Sequence, residues 1–147
     1  MRRRPMQVTV DTIIHNAGLC GPFAVARILG KNFHVKVESP QTGFMPLVIE
    51  NVPGQGVSVA HYYEQEGDLM RDPEIVFNTN WHAIEYTQDN LGLYQEAEEG
   101  HYIRGANSFA HGMWSRNLRA QGFTGPDATV TSLTHYRDED GIWKEAP

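Results

Sequence analysis

The only cysteine of this 147-residue chain stands where a helix is predicted to begin. Cys20 is followed by Gly21, by Pro22 at a first-turn position, and then by an apolar run that ends at Gly30. Backbone amides at a helix start favour the thiolate, which is the nucleophilic form of cysteine. The segment therefore meets the first requirement of a cysteine hydrolase. The same residue types also suit a small buried side chain beside a turn, and we favour this second interpretation.

A nucleophilic cysteine also needs a base and a group that orients the base. His82 is the best candidate for the base, and Asp89 or Asn90, which follow it in the sequence, for the orienting group. The Cys20-Gly21-Pro22 stretch resembles the nucleophile region of bacteriocin-processing and related papain-like peptidases, and the resemblance implies catalysis by Cys20 with His82. No glutamine stands shortly before Cys20 to supply an oxyanion donor, since Gln7 lies far upstream. A hydrolase is therefore an alternative, and we expect that the protein is not an enzyme.

A second group of polar residues surrounds a predicted strand and the turn after it: His61, Tyr62, Tyr63, Glu64, Asp68, Arg71 and Asp72. A strand end and its turn bring such groups together, so they could line a binding site for a ligand or a partner. The alternative is architectural, with Gly67 in a tight turn and Arg71 paired with Asp72 or Glu64. The acidic residues and His61 match no recognised ligand spacing, so we predict neither a metal nor a cofactor.

Hydrophobic periodicity predicts the elements that position these groups. After a basic arm (1–7), the apolar residues of 8–30 have helical spacing, which predicts a helical N-terminal segment. An apolar stripe at the same spacing predicts another helix over 107–121. Alternation with a period of two predicts about six strands within 33–97. Their short connections exclude parallel crossovers. We therefore predict a single α+β domain, in which an antiparallel meander carries the N-terminal and C-terminal helices on one face. For the tail, 125–147, the sequence leaves two alternatives open. It forms either a closing hairpin, in which Ala128–Tyr136 pairs with Ile142–Trp143, or an ordered arm.

The distribution of charged residues along the chain indicates which kinds of partner the protein could bind. The net charge is −6, and three of the twelve cations are Arg2, Arg3 and Arg4, so the rest of the chain is more acidic than the total. Acidic residues concentrate at 64–68, 95–100 and 137–140. Such segments repel a phosphate backbone and suit a protein partner with a basic surface, so we do not expect a nucleic acid. The chain lacks an apolar run of membrane-spanning length and the apolar centre of a signal peptide, so we expect a cytoplasmic protein that does not bind membranes.

Four strings carry a resemblance to a known family: GFMPLVIENV, VSVAHYYEQEGDLMRDPEIVF, DNLGLYQE and SFAHGMWSRNLRAQGF. They resemble a domain-of-unknown-function family of bacterial, plasmid and phage proteins, over about Phe33 to Phe123, with Cys20 outside the match. Together with the acidic segments, this resemblance leads to the hypothesis of a non-enzymatic protein-binding module from a mobile element. Such a module could be a counter-defence inhibitor of the anti-CRISPR type. A regulatory domain that binds a small ligand on the open sheet face is the other alternative to the hydrolase.

Overall fold

The computed structural model describes residues 3–16, 34–133, 136–137 and 143–144. Its helical parts are α1 (Pro5–Asn16), a 3₁₀ turn (Asp89–Leu91), and a C-terminal helix, 104–120, made of α2 (Arg104–Phe109), a π-helical turn (Ala110–Trp114) and α3 (Ser115–Ala120). The strands are β1 (His34–Glu38), β2 (Leu47–Val52), β3 (Gly56–Gln65), β4 (Asp68–Asn78), β5 (Ala83–Gln88), β6 (Leu93–Glu96), β7 (Thr129–Leu133), β8 (Tyr136–Arg137) and β9 (Trp143–Lys144). Cys20 and the helix predicted after it lie outside the described residues. None of the described helices combines the length and the apolar character needed to span a bilayer.

The main sheet has seven antiparallel strands in the order β6-β5-β4-β3-β2-β1-β7. The predicted α+β fold with an antiparallel meander is therefore confirmed, with one strand more than expected. The additional strand, β7, comes from the tail and pairs with β1, with Val35 opposite Leu133. A hairpin does form in the tail, but among the described residues it consists of the short strands β8 and β9, and it does not include residues 129–133, which pair with β1 instead. Pairing with β7 covers the edge that β1 would otherwise expose to other chains.

The helices cover one face of this sheet. Apolar residues at alternate strand positions point to them and are fully buried, among them Val35, Ile49, Val59, Ile75 and Phe77. The helices contribute buried residues to the same core: Met6, Val10, Ile13, Ile14, Ala110, Trp114 and Leu118. A helix of twelve residues, the length of α1, is only marginally stable in isolation. Packing against the sheet therefore stabilises α1, and each of its large buried side chains contributes about 1.5–3 kcal/mol.

Both helices begin earlier than predicted. Helix α1 begins at Pro5, whose fixed φ and missing N–H suit a first turn. The C-terminal helix begins at Arg104, so Asn107 lies within the helix rather than at its cap. The Asn107 side chain accepts a hydrogen bond from the Ala83 backbone N–H (3.0 Å) and so joins the helix to the first residue of β5. Asn107 thus makes a tertiary contact in place of the local helix-capping contact that asparagine favours.

The hairpin of β3 and β4 is the longest in the sheet. Pairing of β3 with β2 ends at His61, whereas pairing with β4 continues to Gln65 opposite Asp68. Its turn consists of Glu66 and Gly67, which have φ values of 52° and 86°. Two successive positive φ values match the right-handed twist of the flanking strands. This turn holds the acidic segment at the exposed tip of the hairpin.

Candidate functional site

The sheet face opposite the helices contains a groove with a volume of about 490 Å³. Its lining residues come from β1, β2, β3 and β4 and from the segment before β2: His34, Lys36, Pro46, Val48, Glu50, Tyr62, Tyr63, Glu64 and Leu69. We call it the open-face groove. Its volume is typical of binding sites for small molecules. Three of the seven predicted binding residues, namely Tyr62, Tyr63 and Glu64, line it.

Tyr62 is held in the groove by its neighbours on the sheet. It lies opposite Arg71 on β4, and the nearby Glu74 carboxylate favours the protonated form of its hydroxyl. Burial, together with the charges of Glu74 and Glu50, raises the pKa of Tyr62 far above its ordinary value. Glu74 also accepts a hydrogen bond from the Ser58 hydroxyl (2.6 Å). The Tyr62 hydroxyl therefore stays protonated at physiological pH and acts as a hydrogen-bond donor.

The rim of the groove at the hairpin combines apolar and acidic side chains. Leu69 is 63 % exposed and lies opposite Glu64 in the hairpin register. Beyond this pair the hairpin tip adds the exposed carboxylates of Glu66 and Asp68. The groove thus combines aromatic, aliphatic and anionic groups with one cation, Lys36, on one surface.

Arg71 has a structural partner that the sequence analysis missed. Its Nε and Nη2 donate hydrogen bonds to the two carboxylate oxygens of Asp89 (3.0 and 3.2 Å), and its backbone N–H donates to Asp89 Oδ2 (2.7 Å). Its second ion pair is with Glu74 (3.6 Å). The predicted pairing of Arg71 with Asp72 or Glu64 is therefore wrong. Hydrogen bonds from Arg71 lower the pKa of Asp89, so the pair stays ionised and holds the 3₁₀ turn against β4.

His61 lies on the opposite face of the sheet from Tyr62, in the core. Its ring contacts those of Trp114 and Phe123, with centroid distances of 5.9 and 5.7 Å. Its Nδ1–H donates to the carbonyl oxygens of Met45 and Pro46 (3.1 and 3.2 Å). Burial lowers the pKa of His61, although these hydrogen bonds raise it in part. His61 is thus a neutral core residue, and the predicted binding set is divided between two faces.

The described residues do not form the predicted dyad of a cysteine hydrolase. His82 precedes β5 and Asp89 follows it, so they lie about 20 Å apart along the strand. His82 Nε2 accepts a hydrogen bond from Arg4 Nη2 (2.7 Å), and its ring stacks on Tyr102 at 4.5 Å. Asp89 is bound to Arg71. The prediction that Asp89 orients His82 is therefore wrong.

Two further features concern the kind of ligand that the protein could hold. Within the described ranges, no three His, Cys, Asp or Glu side chains are grouped as a metal site requires. A larger cleft, of about 700 Å³, lies beside β5 and β6, and its walls include four glutamates together with His82, His101 and Tyr102. Half of the residues that line this cleft are carboxylates and amides, with Ile84, Ala97 and Tyr102 among the rest, whereas apolar surface predominates in the open-face groove. The open-face groove is therefore the stronger candidate site.

Six lining residues were not predicted from the sequence: His34, Lys36, Pro46, Val48, Glu50 and Leu69. Five of them lie on β1, on β2 or on the long hairpin, where an alternating pattern indicates only which sheet face a residue occupies. Only the register places them together, with His34 opposite Glu50 and Lys36 opposite Val48. The alternation of apolar and polar residues indicates on which sheet face each side chain lies. The pairing of the strands decides which of these side chains are neighbours in the groove.

The fold separates charge between its two layers. Residues 34–103, which form the sheet from β1 to β6 with its loops, carry twelve Asp and Glu but only two Lys and Arg, a net charge of −10. Residues 3–16 and 104–122, which form the helices, carry five Arg and one Asp, a net charge of +4. That single acid, Asp11, is buried and paired with Arg3. The sheet is therefore an acidic layer and the helices form a basic one.

Comparison with known proteins gives one match. The family model described as Domain of unknown function (DUF6908) matches residues 9–124. The expected resemblance to a family of unknown function is thus confirmed, but the match begins before Phe33 and includes Cys20. No curated protein and no solved structure matches the chain.

Proposed function

Because the chain belongs to the DUF6908 family, whose description names no activity, we propose a function from the geometry of the site. The protein is a non-enzymatic protein-binding module that takes a basic, partly apolar segment of its partner into the open-face groove. The observation that carries this proposal is the continuity of Tyr62, Tyr63 and Leu69 with the carboxylates of Glu50 and Glu64.

The apolar part of the groove supplies affinity. Tyrosine offers a large contact area with few rotatable bonds, so ordering it costs little entropy, and tyrosines are enriched where proteins bind one another. The Leu69 side chain, which is 63 % exposed, would gain up to about 2 kcal/mol if a partner buried it. A partner that contacts both tyrosines and Leu69 would form the central, water-excluding part of an interface.

The acidic part of the groove supplies selectivity. Glu50 and Glu64 line it, and Glu66 and Asp68 extend the negative surface to the hairpin tip. The sheet as a whole carries a net charge of −10, which attracts a basic partner over several ångströms and raises its association rate. Lysine or arginine side chains of the partner would meet these carboxylates, and added salt would weaken the complex.

We further propose that the partner is a basic surface of a host defence complex, such as a CRISPR effector. The support for this class is the resemblance to proteins of mobile elements together with the acidic groove. A partner of this kind would place the protein in the cytoplasm.

A photo-cross-linking experiment tests the binding site. A cross-linking amino acid is placed at Leu69, and in a matched control at Met113, which is 55 % exposed on the opposite, helical side. We expect the Leu69 probe to form a cross-linked product with a basic host protein at low salt, and we expect the yield of this product to fall at high salt. The probe at Met113 should not form this product. Equal products from both positions, or none from Leu69, would contradict the proposal.

A binding measurement then tests the groove itself. Once the cross-linked protein is purified, Tyr63→Ala and Glu64→Gln should each weaken its binding at least several-fold. The control variant is Gln95→Ala, at an exposed position on β6 outside the groove. If the control weakens binding as much as the groove variants do, the partner binds elsewhere.

A further inference from the structure

The outer surface of the helices carries cations on an otherwise acidic protein. Arg104, Arg116 and Arg119 are exposed along the C-terminal helix, and residues 104–122 contain no Asp or Glu. We call these three residues and the surface between them the helical face. We propose that the helical face binds the phosphate backbone of a nucleic acid. This inference goes beyond the proposed function, because it concerns the opposite side of the molecule.

Two of the three arginines have their guanidinium groups free. Arg71 is bound to Asp89 and Arg3 to Asp11, whereas neither Arg104 nor Arg116 forms an ion pair with any residue that the structure describes. An unpaired guanidinium keeps all its N–H donors for a ligand. It can bind two oxygens of one phosphate with parallel hydrogen bonds.

The third arginine is held in place. Arg119 Nε donates a hydrogen bond to Thr9 Oγ1 on α1 (3.1 Å), and Thr9 Oγ1 shares another with Ser115 Oγ (2.8 Å). The Nε contact leaves the two Nη groups of this exposed residue for a ligand. Because the contact already restricts the side chain, less conformational entropy is lost when a phosphate binds.

The surface near Arg116 is open to a large ligand. Arg116 Nη1 lies 3.9 Å from the position that a Cβ of Gly112 would occupy, one turn earlier in the helix. Among the described residues, and apart from the neighbouring backbone of the helix, this guanidinium is the only group within 4 Å of that position, and Arg116 is exposed. The three arginines are spread over fifteen positions, or about 22 Å of helix. This length spans about six phosphates of one strand at 3.4 Å each.

The acidic layer does not cancel the field of this surface in salt solution. The outer surface of a helix layer lies about one helix diameter, roughly 10 Å, from the sheet that it covers. The Debye length is also about 10 Å at 0.1 M ionic strength. A polyanion at the helical face therefore meets mainly the local positive charge. The net charge of −6, which by itself argues against a nucleic acid, describes neither face alone.

The composition of the helical face favours a nucleic acid over a protein. Its cations are all arginine, and Met113 is the only large apolar side chain exposed on the described C-terminal helix. A protein interface of useful affinity needs a larger apolar centre. A phosphate backbone needs only cations and polar donors, and exposed Ser108 and Asn117 supply the latter.

Fluorescence anisotropy with a labelled duplex of about 20 base pairs tests the proposal over about 20–200 mM NaCl. The full chain is compared with Arg104→Gln, Arg116→Gln and Arg119→Gln. The matched control is Gln95→Glu, which lowers the net charge by the same amount as Arg116→Gln but at an exposed position on the acidic β6. We expect salt-dependent binding, weakened several-fold by each arginine variant, with the slope of log K against log salt reduced by about one.

Three results would overturn the proposal. The first is that the protein does not bind the duplex even at the lowest salt. The second is that Arg116→Gln and Gln95→Glu weaken duplex binding equally. The third is that the protein does not bind DNA but associates with itself, and that Arg116→Gln abolishes this self-association. Urea unfolding of each variant checks that the fold is retained. Leu69→Ser should leave duplex binding unchanged, so failure of this proposal is distinguishable from failure of the proposed groove function.

Discussion

Arg4 and His82 are 78 positions apart in the sequence, and Arg4 Nη2 donates a hydrogen bond to His82 Nε2 at 2.7 Å. The contact holds the start of α1 against the residue that precedes β5. A second histidine makes a similar connection, since His111 Nδ1 accepts from the Met6 N–H (3.2 Å) and its Nε2–H donates to the Trp81 carbonyl (2.7 Å). Both histidines accept a hydrogen bond on one ring nitrogen, so both must be neutral.

The first prediction concerns pH. Burial lowers the pKa of His61, His82 and His111 below 6.5, and Arg4 lowers the pKa of His82 and His111 further. The folded protein then binds fewer protons than the unfolded chain, so these groups stabilise it above pH 6.5. This contribution is lost as the pH falls from 6.5 through the lower folded values. We expect the free energy of unfolding in urea to decrease between about pH 7 and pH 5.

Variants assign this pH dependence to particular histidines. Arg4→Gln should raise the pKa of His82 in an NMR titration, because it removes both the nearby positive charge and the donor to Nε2. His111→Gln should reduce the loss of stability between about pH 7 and pH 5. An unchanged His82 pKa in Arg4→Gln would show that burial alone causes the shift.

The second prediction concerns the ion pair of Arg71 and Asp89. Asp89→Asn removes a charge-assisted pair from a partly exposed site, and we expect a loss of about 1–2 kcal/mol in the free energy of unfolding at neutral pH. The lowered pKa of Asp89 implies that its contribution is present above its ordinary value of 3.8 and disappears as the pH falls below it. Asp68→Asn, at the exposed hairpin tip, is the control and should change stability by less than about 0.5 kcal/mol. Equal effects of the two variants would mean that the pair adds no stability.

The third prediction concerns two glycines of opposite character. A Cβ at Gly56 would clash with the backbone of Phe77 on β4, whereas a Cβ at Gly105, on the C-terminal helix, would meet no atom within 4 Å. Gly56→Ala should therefore displace one of the two strands and destabilise the fold by about 2 kcal/mol or more. Gly105→Ala should stabilise it by about 0.5–1 kcal/mol, because alanine favours helix. Thermal unfolding of both variants measures the difference, and a Gly56→Ala protein as stable as the wild type would refute the close approach.

The fourth prediction concerns the reactivity of Cys20. His82 is bound to Arg4 and lies at the opposite end of β5 from Asp89, so the described residues contain no His82–Asp89 dyad. We expect His82→Ala to leave the alkylation rate of Cys20 unchanged at neutral pH, as measured with iodoacetamide. A large decrease in that rate would restore the hydrolase alternative, because it would show that His82 activates the thiol.

Local patterns determined most of the architecture. Alternation along 33–97 predicts strands, their short connections predict antiparallel pairing, and an apolar stripe predicts the C-terminal helix, all of which the fold contains. These features depend on neighbouring residues and on backbone geometry, which a sequence displays directly. The acidic hairpin tip is predictable for the same reason, because its carboxylates and its turn glycine are close together in the chain.

Contacts between distant residues were decided only by the tertiary structure. His61 and Tyr62 are adjacent in the sequence and are predicted to share a site, yet one lies in the core and the other in the groove. The Arg71–Asp89 pair, the pairing of β7 with β1 and the separation of charge between the two layers likewise depend on register and packing. The sequence alone determined which residues alternate and where charge accumulates. Only the tertiary structure decided which of them meet, because strand pairing over long separations depends on the burial of the whole core rather than on any local preference.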